Sequence, residues 1–128
     1  MDFNALGLLI LRLGFGATMA FRHGLPKLLD FSNQMNGFPD PLGIGSTGSL
    51  ALTISAEFFC AILVTIGIFT RFAAFPLMIA MAVAFFIVHQ ADPFQKKEMA
   101  FLYLMAFSTI FACGPGAYSA DKWFRKTL

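Results

Sequence analysis

Seventeen consecutive residues, Phe72–Val88, contain no ionisable side chain. A run of that length satisfies the rule for a helix that crosses a bilayer, about 20 apolar residues at 1.5 Å rise each. Three further segments come close to the same description. Phe3–Phe21 carries one charge, Arg12, and Thr47–Thr70 carries one, Glu57. Phe94–Cys113 carries Lys96, Lys97 and Glu98 near its start, where long side chains reach back toward water. Hydrocarbon tolerates only helices and closed barrels, and these runs are continuous, not alternating. The expected fold is therefore all-α: an integral membrane four-helix transmembrane bundle in one domain. Its helices are expected over about 3–23, 47–70, 71–90 and 94–113.

The connections agree with that plan. Phe31–Ser46, rich in Asn, Gly and Pro, is the one long loop. Ile68–Arg71 leaves room only for a tight antiparallel hairpin between helices 2 and 3, with Thr70 as the expected N-cap of the third. Asp92-Pro93 separates helices 3 and 4, and Gly114-Pro115-Gly116 ends the fourth. Gly24 and Pro26 are expected to break the first helix, and Pro76 to kink the third. Segment 117–128 joins Trp123 and Phe124 to Lys122, Arg125 and Lys126, and reads as an interfacial anchor facing lipid phosphates or, more plainly, as a solvated charged tail.

Composition narrows the function classes. Hydrophobic residues are 58% and charged residues 12%, against roughly half and a quarter in soluble domains. A net charge of +2 with no basic stripe gives no nucleic-acid surface. The N-terminus lacks a basic region and a cleavage site, so the first run reads as a retained span. Cys60 and Cys113 lie in apolar runs outside any CxxC or zinc spacing, and read as small hydrophobes. A Cys60–Cys113 disulfide is the alternative. Arg71, Lys122, Arg125 and Lys126 fall on the side of both termini, which leans toward cytoplasmic termini.

The chemistry is expected where hydrocarbon should reject side chains. Arg12 and Glu57 are the deepest charges, each costing roughly +2.5 to +3.5 kcal/mol at a helix centre. Counted from their helix starts they lie at similar depth, so an Arg12–Glu57 ion pair is expected, functional or purely architectural. On a helical wheel Arg12, Gly16, Met19 and His23 share one face. His23, Lys27, His89 and Glu98 are expected to meet at one end of the bundle, as the mouth of a polar pocket reaching down to that pair. Each also has a plainer reading: the histidines as interfacial residues bonded to loop carbonyls, the lysines as contacts to lipid phosphate. Two histidines and Glu98 could bind a metal, but no HxxxH or ExxH spacing supports it. "GIGSTG", Gly43–Gly48, follows no strand, so a dinucleotide site is not expected. It reads as a flexible approach to helix 2, whose free amides could hold an anionic or carbonyl group of a ligand.

Several stretches resemble the DoxX family of small membrane proteins. They are "LGLLILRLGFGATMAFRHGLPKLL" (Leu6–Leu29) with its HG-x-x-K, and "AEFFCAILVTIGIFTRFAA" (Ala56–Ala74) with its glutamate and G-x-F-T-R. "AFFIVHQ" (Ala84–Gln90), "KKEMAFLYL" (Lys96–Leu104) and "CGPGAYSADKW" (Cys113–Trp123) complete the set. Pro26 stands where a polar residue is usual. The resemblance implies a subunit or partner of a membrane oxidoreductase system, such as a thiosulfate–quinone system or a redox-stress assembly. It places Arg12, His23, Lys27, Glu57, His89 and Glu98 at the family's recurrent polar positions. No haem, iron–sulfur or flavin motif is present, so no intrinsic cofactor is expected and quinone is the expected ligand. Membrane lipids and either a redox-complex protein or further copies of the chain are the expected partners, in a bacterial-type inner membrane. The rival readings are a non-enzymatic assembly protein, docking through Phe31–Ser46, and a lipid-binding or transport protein.

Overall fold

The computed structural model describes residues 2–127, with side chains as far as 124. It is all-helical, and no strand occurs among the described residues. Four long helices run up and down: α1 (Phe3–Leu29), α2 (Ser46–Ile66), α3 (Thr70–Val88) and α4 (Phe94–Cys113). A short α5 (Ala120–Thr127) follows. The first three are long and apolar enough to cross a membrane. The fourth has the length, but begins with Lys96, Lys97 and Glu98. The side chains of Arg125 and Lys126, expected to face lipid phosphate, lie outside the described residues.

Helix α1 is longer than its sequence predicts, because Gly24 and Pro26 do not end it. It widens into π-helical turns over Arg12–Gly16 and Met19–Gly24, then resumes as an α-helix at Leu25. A π turn leaves the carbonyl ladder out of step, and a proline with no N–H to donate fits the point where the ladder resets. Two more π segments, Ser55–Cys60 in α2 and Ala84–Val88 in α3, flank the same region. Arg12, His23 and Glu57 all stand on widened turns.

Small residues hold α1 against α2. A Cβ on Gly16 would stand 2.4 Å from Thr65 Oγ1, and one on Gly24 would stand 2.6 Å from the Glu57 carbonyl. Gly16, Ala20 and Gly24 thus form a stripe at i, i+4 and i+8, and all three are buried. Where lipid tails are as apolar as leucine, such close backbone approach is what holds helices together. The core beside it is Ala56, Ala61, Val64, Ala73, Ala74 and Leu77, with Phe107 and Ile110 of α4 fully enclosed. Tyr103 stacks on Phe107 at 5.9 Å and meets Phe15 edge-on at 5.5 Å.

The turn between α2 and α3 departs from expectation. Gly67 (φ 85°) ends α2, with Gly67 and Ile68 both donating to the Leu63 carbonyl at 2.8 and 2.9 Å. The N-cap of α3 is Phe69, at φ 47°, and Thr70 is already inside the helix. Phe69 has no capping side chain, and Asp121 of α5 supplies the cap. It accepts the Phe69 and Thr70 N–H groups at 2.8 and 3.0 Å and the Thr70 hydroxyl at 2.9 Å. The first turn of α5 is therefore docked onto the hairpin, a contact that neither an interfacial anchor nor a solvated tail predicts. Cys60 and Cys113 are free thiols.

Candidate functional site

The ends of α1 and α3 and the starts of α2 and α4 share one end of the bundle. There Lys27 donates to Glu57 Oε1 at 2.6 Å, and to the His23 carbonyl one turn back at 3.3 Å. The Glu57 side chain is 8% exposed and that of Lys27 23%. Lys27 reaches Glu57 because α1 continues past Pro26, which keeps it on the His23 face. Gly24 brings the two backbones together at that level. The His23 ring stands edge-on to Tyr103 of α4, with centroids 5.5 Å apart.

Two cavities meet at Glu57. The larger, of about 470 Å³, lies between α2 and α3, beneath the loop that joins α1 to α2. Leu52, Ala56, Pro76, Ile79 and Val83 make its walls, Phe38 and Leu42 its cover, and Lys27, Glu57 and His89 its polar margin. The smaller, of about 150 Å³, lies toward α4 and is lined by His23, Glu57, His89, Lys96 and Tyr103. Both are thus bounded by Glu57 and His89. His89 Nδ1 lies 2.8 Å from the Asp92 carboxylate.

The structure therefore brings together four residues picked from the sequence: His23, Lys27, Glu57 and His89. It separates the other two. Arg12 does not pair with Glu57. Its guanidinium donates to the Thr65 carbonyl at 3.1 Å and to the Tyr118 carbonyl, and Nε has no partner among the described residues. Equal depth would require the two helices to start flush. The glycine contacts set a different register: Gly24 faces Glu57, so Arg12 lies roughly three helical turns away. It ties α1 to the end of α2 and to the chain leading into α5, and its charge meets the negative end of a helix dipole. Arg71 does the same for α4, donating to the Phe111 and Ala112 carbonyls.

Glu98 is exposed and lines neither cavity. Lys96 takes the place expected of it, while Lys97 lies 4.7 Å from the Phe85 ring centre. Tyr103 was missed, although Lys96, Ala100 and Tyr103 follow i, i+4, i+7 spacing along one stripe of α4. No group of three or more His, Cys, Asp or Glu side chains is placed to hold a metal among the described residues.

Within "GIGSTG" the Ile44 and Gly45 amides are taken up by the chain itself. Asp40 accepts the Ile44 and Gly45 N–H groups at 3.0 and 2.7 Å and the hydroxyl of buried Ser49 at 2.7 Å. These bonds, the Ser49 hydroxyl foremost, hold the Asp40 carboxyl below its ordinary value of 3.8. They also fasten Phe38–Ile44 over the larger cavity. Asp30, at the end of α1, is likewise lowered, first by its hydrogen bond from Asn33.

Comparison with known proteins gives a consistent picture. The DoxX family model matches residues 7–90, which include Arg12, His23, Lys27, Glu57 and His89. An uncharacterized protein of Haemophilus influenzae is 36% identical over 120 residues, 86% of each chain. No solved structure matches.

Proposed function

The chain belongs to the DoxX family of small membrane proteins, and from that premise we propose that it carries an intramembrane site for a lipid-soluble, quinone-like molecule and serves a membrane oxidoreductase system as subunit or partner. The observation that carries this reading is the Lys27–Glu57 pair set into the margin of a 470 Å³ apolar cavity. Small-molecule sites are mostly apolar, with a few convergent polar groups that fix orientation. Leu52 and Ile79, on the cavity wall, are also among the exposed large hydrophobics, so the cavity faces hydrocarbon and fills from the bilayer. An isoprenoid tail would lie along α2 and α3. The head carbonyls would take hydrogen bonds from Lys27 and His89, and Glu57 would exchange protons with them. Electrons would come from a partner protein.

In this reading α4 is the fourth span. Its outward Leu102 and Met105 meet lipid, and Lys96 and Lys97 reach the headgroups. The protein would sit in a bacterial inner membrane with cytoplasmic termini, Arg71 and Lys122 lying on that side. A second reading, lipid binding without redox chemistry, is favoured by the predominance of apolar wall around the larger cavity.

The test is to purify the protein in mild detergent, extract it, and identify what it carries by mass spectrometry. A quinone retained by the native protein and by Arg22→Gln, and lost from Glu57→Gln and from Ala80→Phe with folding intact, supports the proposal. Phospholipid alone favours the second reading. Finding neither, and no binding of decylubiquinone in nanodiscs, overturns both.

A further inference from the structure

The two cavities differ in chemistry although they share a wall. The larger is lined mainly by leucine, isoleucine, valine, alanine and proline side chains, with Lys27, Ser49, Thr53, Glu57 and His89 as its polar members. Five of the ten residues around the smaller are titratable: His23, Glu57, His89, Lys96 and Tyr103. A space of 150 Å³ holds several waters, and polar groups on its wall retain them. Its rim carries Lys96 and Met99, both exposed, so it opens at the end of the bundle. At its inner end stands Glu57. Lys27 occupies Oε1 of that carboxylate, and Oε2 has no hydrogen-bond partner among the described residues. No protein group bonds the His23 ring nitrogens among the described residues, and the ring lines the same space.

We propose that the smaller cavity is a water-filled proton passage, leading from the surface at Lys96 to the Glu57 carboxylate, and that Glu57 passes protons between it and the molecule held in the larger cavity. The inference rests on the ligand-site reading above and gives that site its proton supply. The step is a plain transfer. A proton from passage water, relayed by His23, adds to Glu57 Oε2. The O–H bond so formed breaks when an oxygen of the bound molecule takes the proton, and the carboxylate returns to its pair with Lys27. No electrons move in this step. The groups that face Glu57 and set its charge balance are known on every side. They are His23 and Lys27 on α1, with Arg22 exposed beside them; His89 with Asp92 after α3; and Lys96 and Tyr103 on α4. Lys27 compensates the ionised form, and when Glu57 is protonated the Lys27 ammonium, 23% exposed, keeps its bond to the His23 carbonyl.

The passage can be read without any ligand. In proteoliposomes of the full chain with Cys60 and Cys113 replaced by alanine, Ala100→Cys lines the smaller cavity and Ala80→Cys the larger. The passage predicts fast labelling of Ala100→Cys by a charged, membrane-impermeant methanethiosulfonate. It predicts labelling of Ala80→Cys only by an apolar maleimide. In nanodiscs, infrared spectroscopy after a pH jump should show a carboxyl C=O band that Glu57→Gln removes. Ala100→Phe, which plugs the passage and leaves the larger cavity untouched, should slow its appearance at least tenfold. Should Ala100→Phe fail to fold, Ala100→Leu is a smaller plug, and the labelling stands without either. An Ala100→Cys thiol that resists the charged reagent overturns the passage. So does a Glu57 band that never appears, or one whose rate ignores the plug. Failure of quinone to bind while these signals persist removes the quinone reading alone; a dry passage with quinone still bound removes only the proton route.

Discussion

Gly24 of α1 and Glu57 of α2 meet backbone to backbone, so closely that a Cβ on Gly24 would stand 2.6 Å from the Glu57 carbonyl carbon and oxygen. Backbone cannot swing aside as a side chain can. Gly24→Ala should therefore part the helices where Lys27 and Glu57 pair. The expected loss is about 1–3 kcal/mol, the usual cost of overpacking. Gly14 is the control: it lies in the same helix with nothing within 4 Å of an added Cβ. Gly14→Ala should stabilise by about 0.5–1 kcal/mol, because glycine is the poorer helix former. Thermal unfolding of the two variants in one detergent should move in opposite directions. Equal shifts would mean that the glycine contact does not set the register.

The Lys27–Glu57 pair predicts a non-additive mutant cycle. Removing one partner strands a charge among apolar walls, and such losses run to roughly 3–5 kcal/mol for fully buried pairs. Lys27 is 23% exposed, so Lys27→Met and Glu57→Gln should each fall at the lower end of that range. The double variant leaves no charge behind. It should be more stable than the sum of the single losses implies by about 2 kcal/mol, measured by detergent melting. Strict additivity would mean that the two side chains are solvated separately.

How much of this could be read beforehand depended on what each residue answers to. The long helices were legible, three of them as candidate spans, because hydrocarbon imposes a length and a polarity on every helix that crosses it. His23, Lys27, Glu57 and His89 were legible because ionisable groups at membrane depth must face inward. Arg12 was misplaced because depth was counted from helix ends, while the register is fixed by Gly16 and Gly24 pressing on α2. Lys27 was cut off from its own helix by reading Pro26 as a stop, which π-helical turns make unnecessary. The cap from Asp121 was invisible because its partners lie 51 and 52 residues away, and nothing in a local pattern marks such a bond.

Asp121 makes a prediction of its own. It satisfies the first amides of α3 and anchors α5, whose own Asp121 N–H donates to the Gly67 carbonyl at 2.8 Å. Asp121→Ala should cost about 1–2 kcal/mol, as loss of a helix cap does. It should also free α5, so that trypsin cuts at Lys122 earlier than in the native protein. Asp121→Asn keeps one acceptor oxygen and should fall between the two. Unchanged protease resistance in Asp121→Ala would show that α5 is held by other contacts.

Asp40 makes the loop over the larger cavity sensitive to acid. Its carboxyl is lowered below 3.8 because the ionised form accepts from Ser49 and from the Gly45 and Ile44 amides. A carboxyl lowered in the folded state binds fewer protons there than in the open loop. Its contribution is thus complete above the ordinary value and fades as pH falls below 3.8 through the folded value. Hydrogen exchange at the Ile44 and Gly45 amides, corrected for its intrinsic pH dependence, should show constant protection from neutral pH to about 5 and a decline on further acidification. Asp40→Asn should give low protection at every pH, with no transition, because a neutral amide has no charge to lose. A native-like acid transition in Asp40→Asn would assign the effect to another carboxyl, of which Asp30 is the nearest along the chain before the loop. If the loop is the cover of the ligand site, Asp40→Asn should also speed the release of bound decylubiquinone more than it weakens folding, a difference that stopped-flow displacement and melting measured on one preparation would separate.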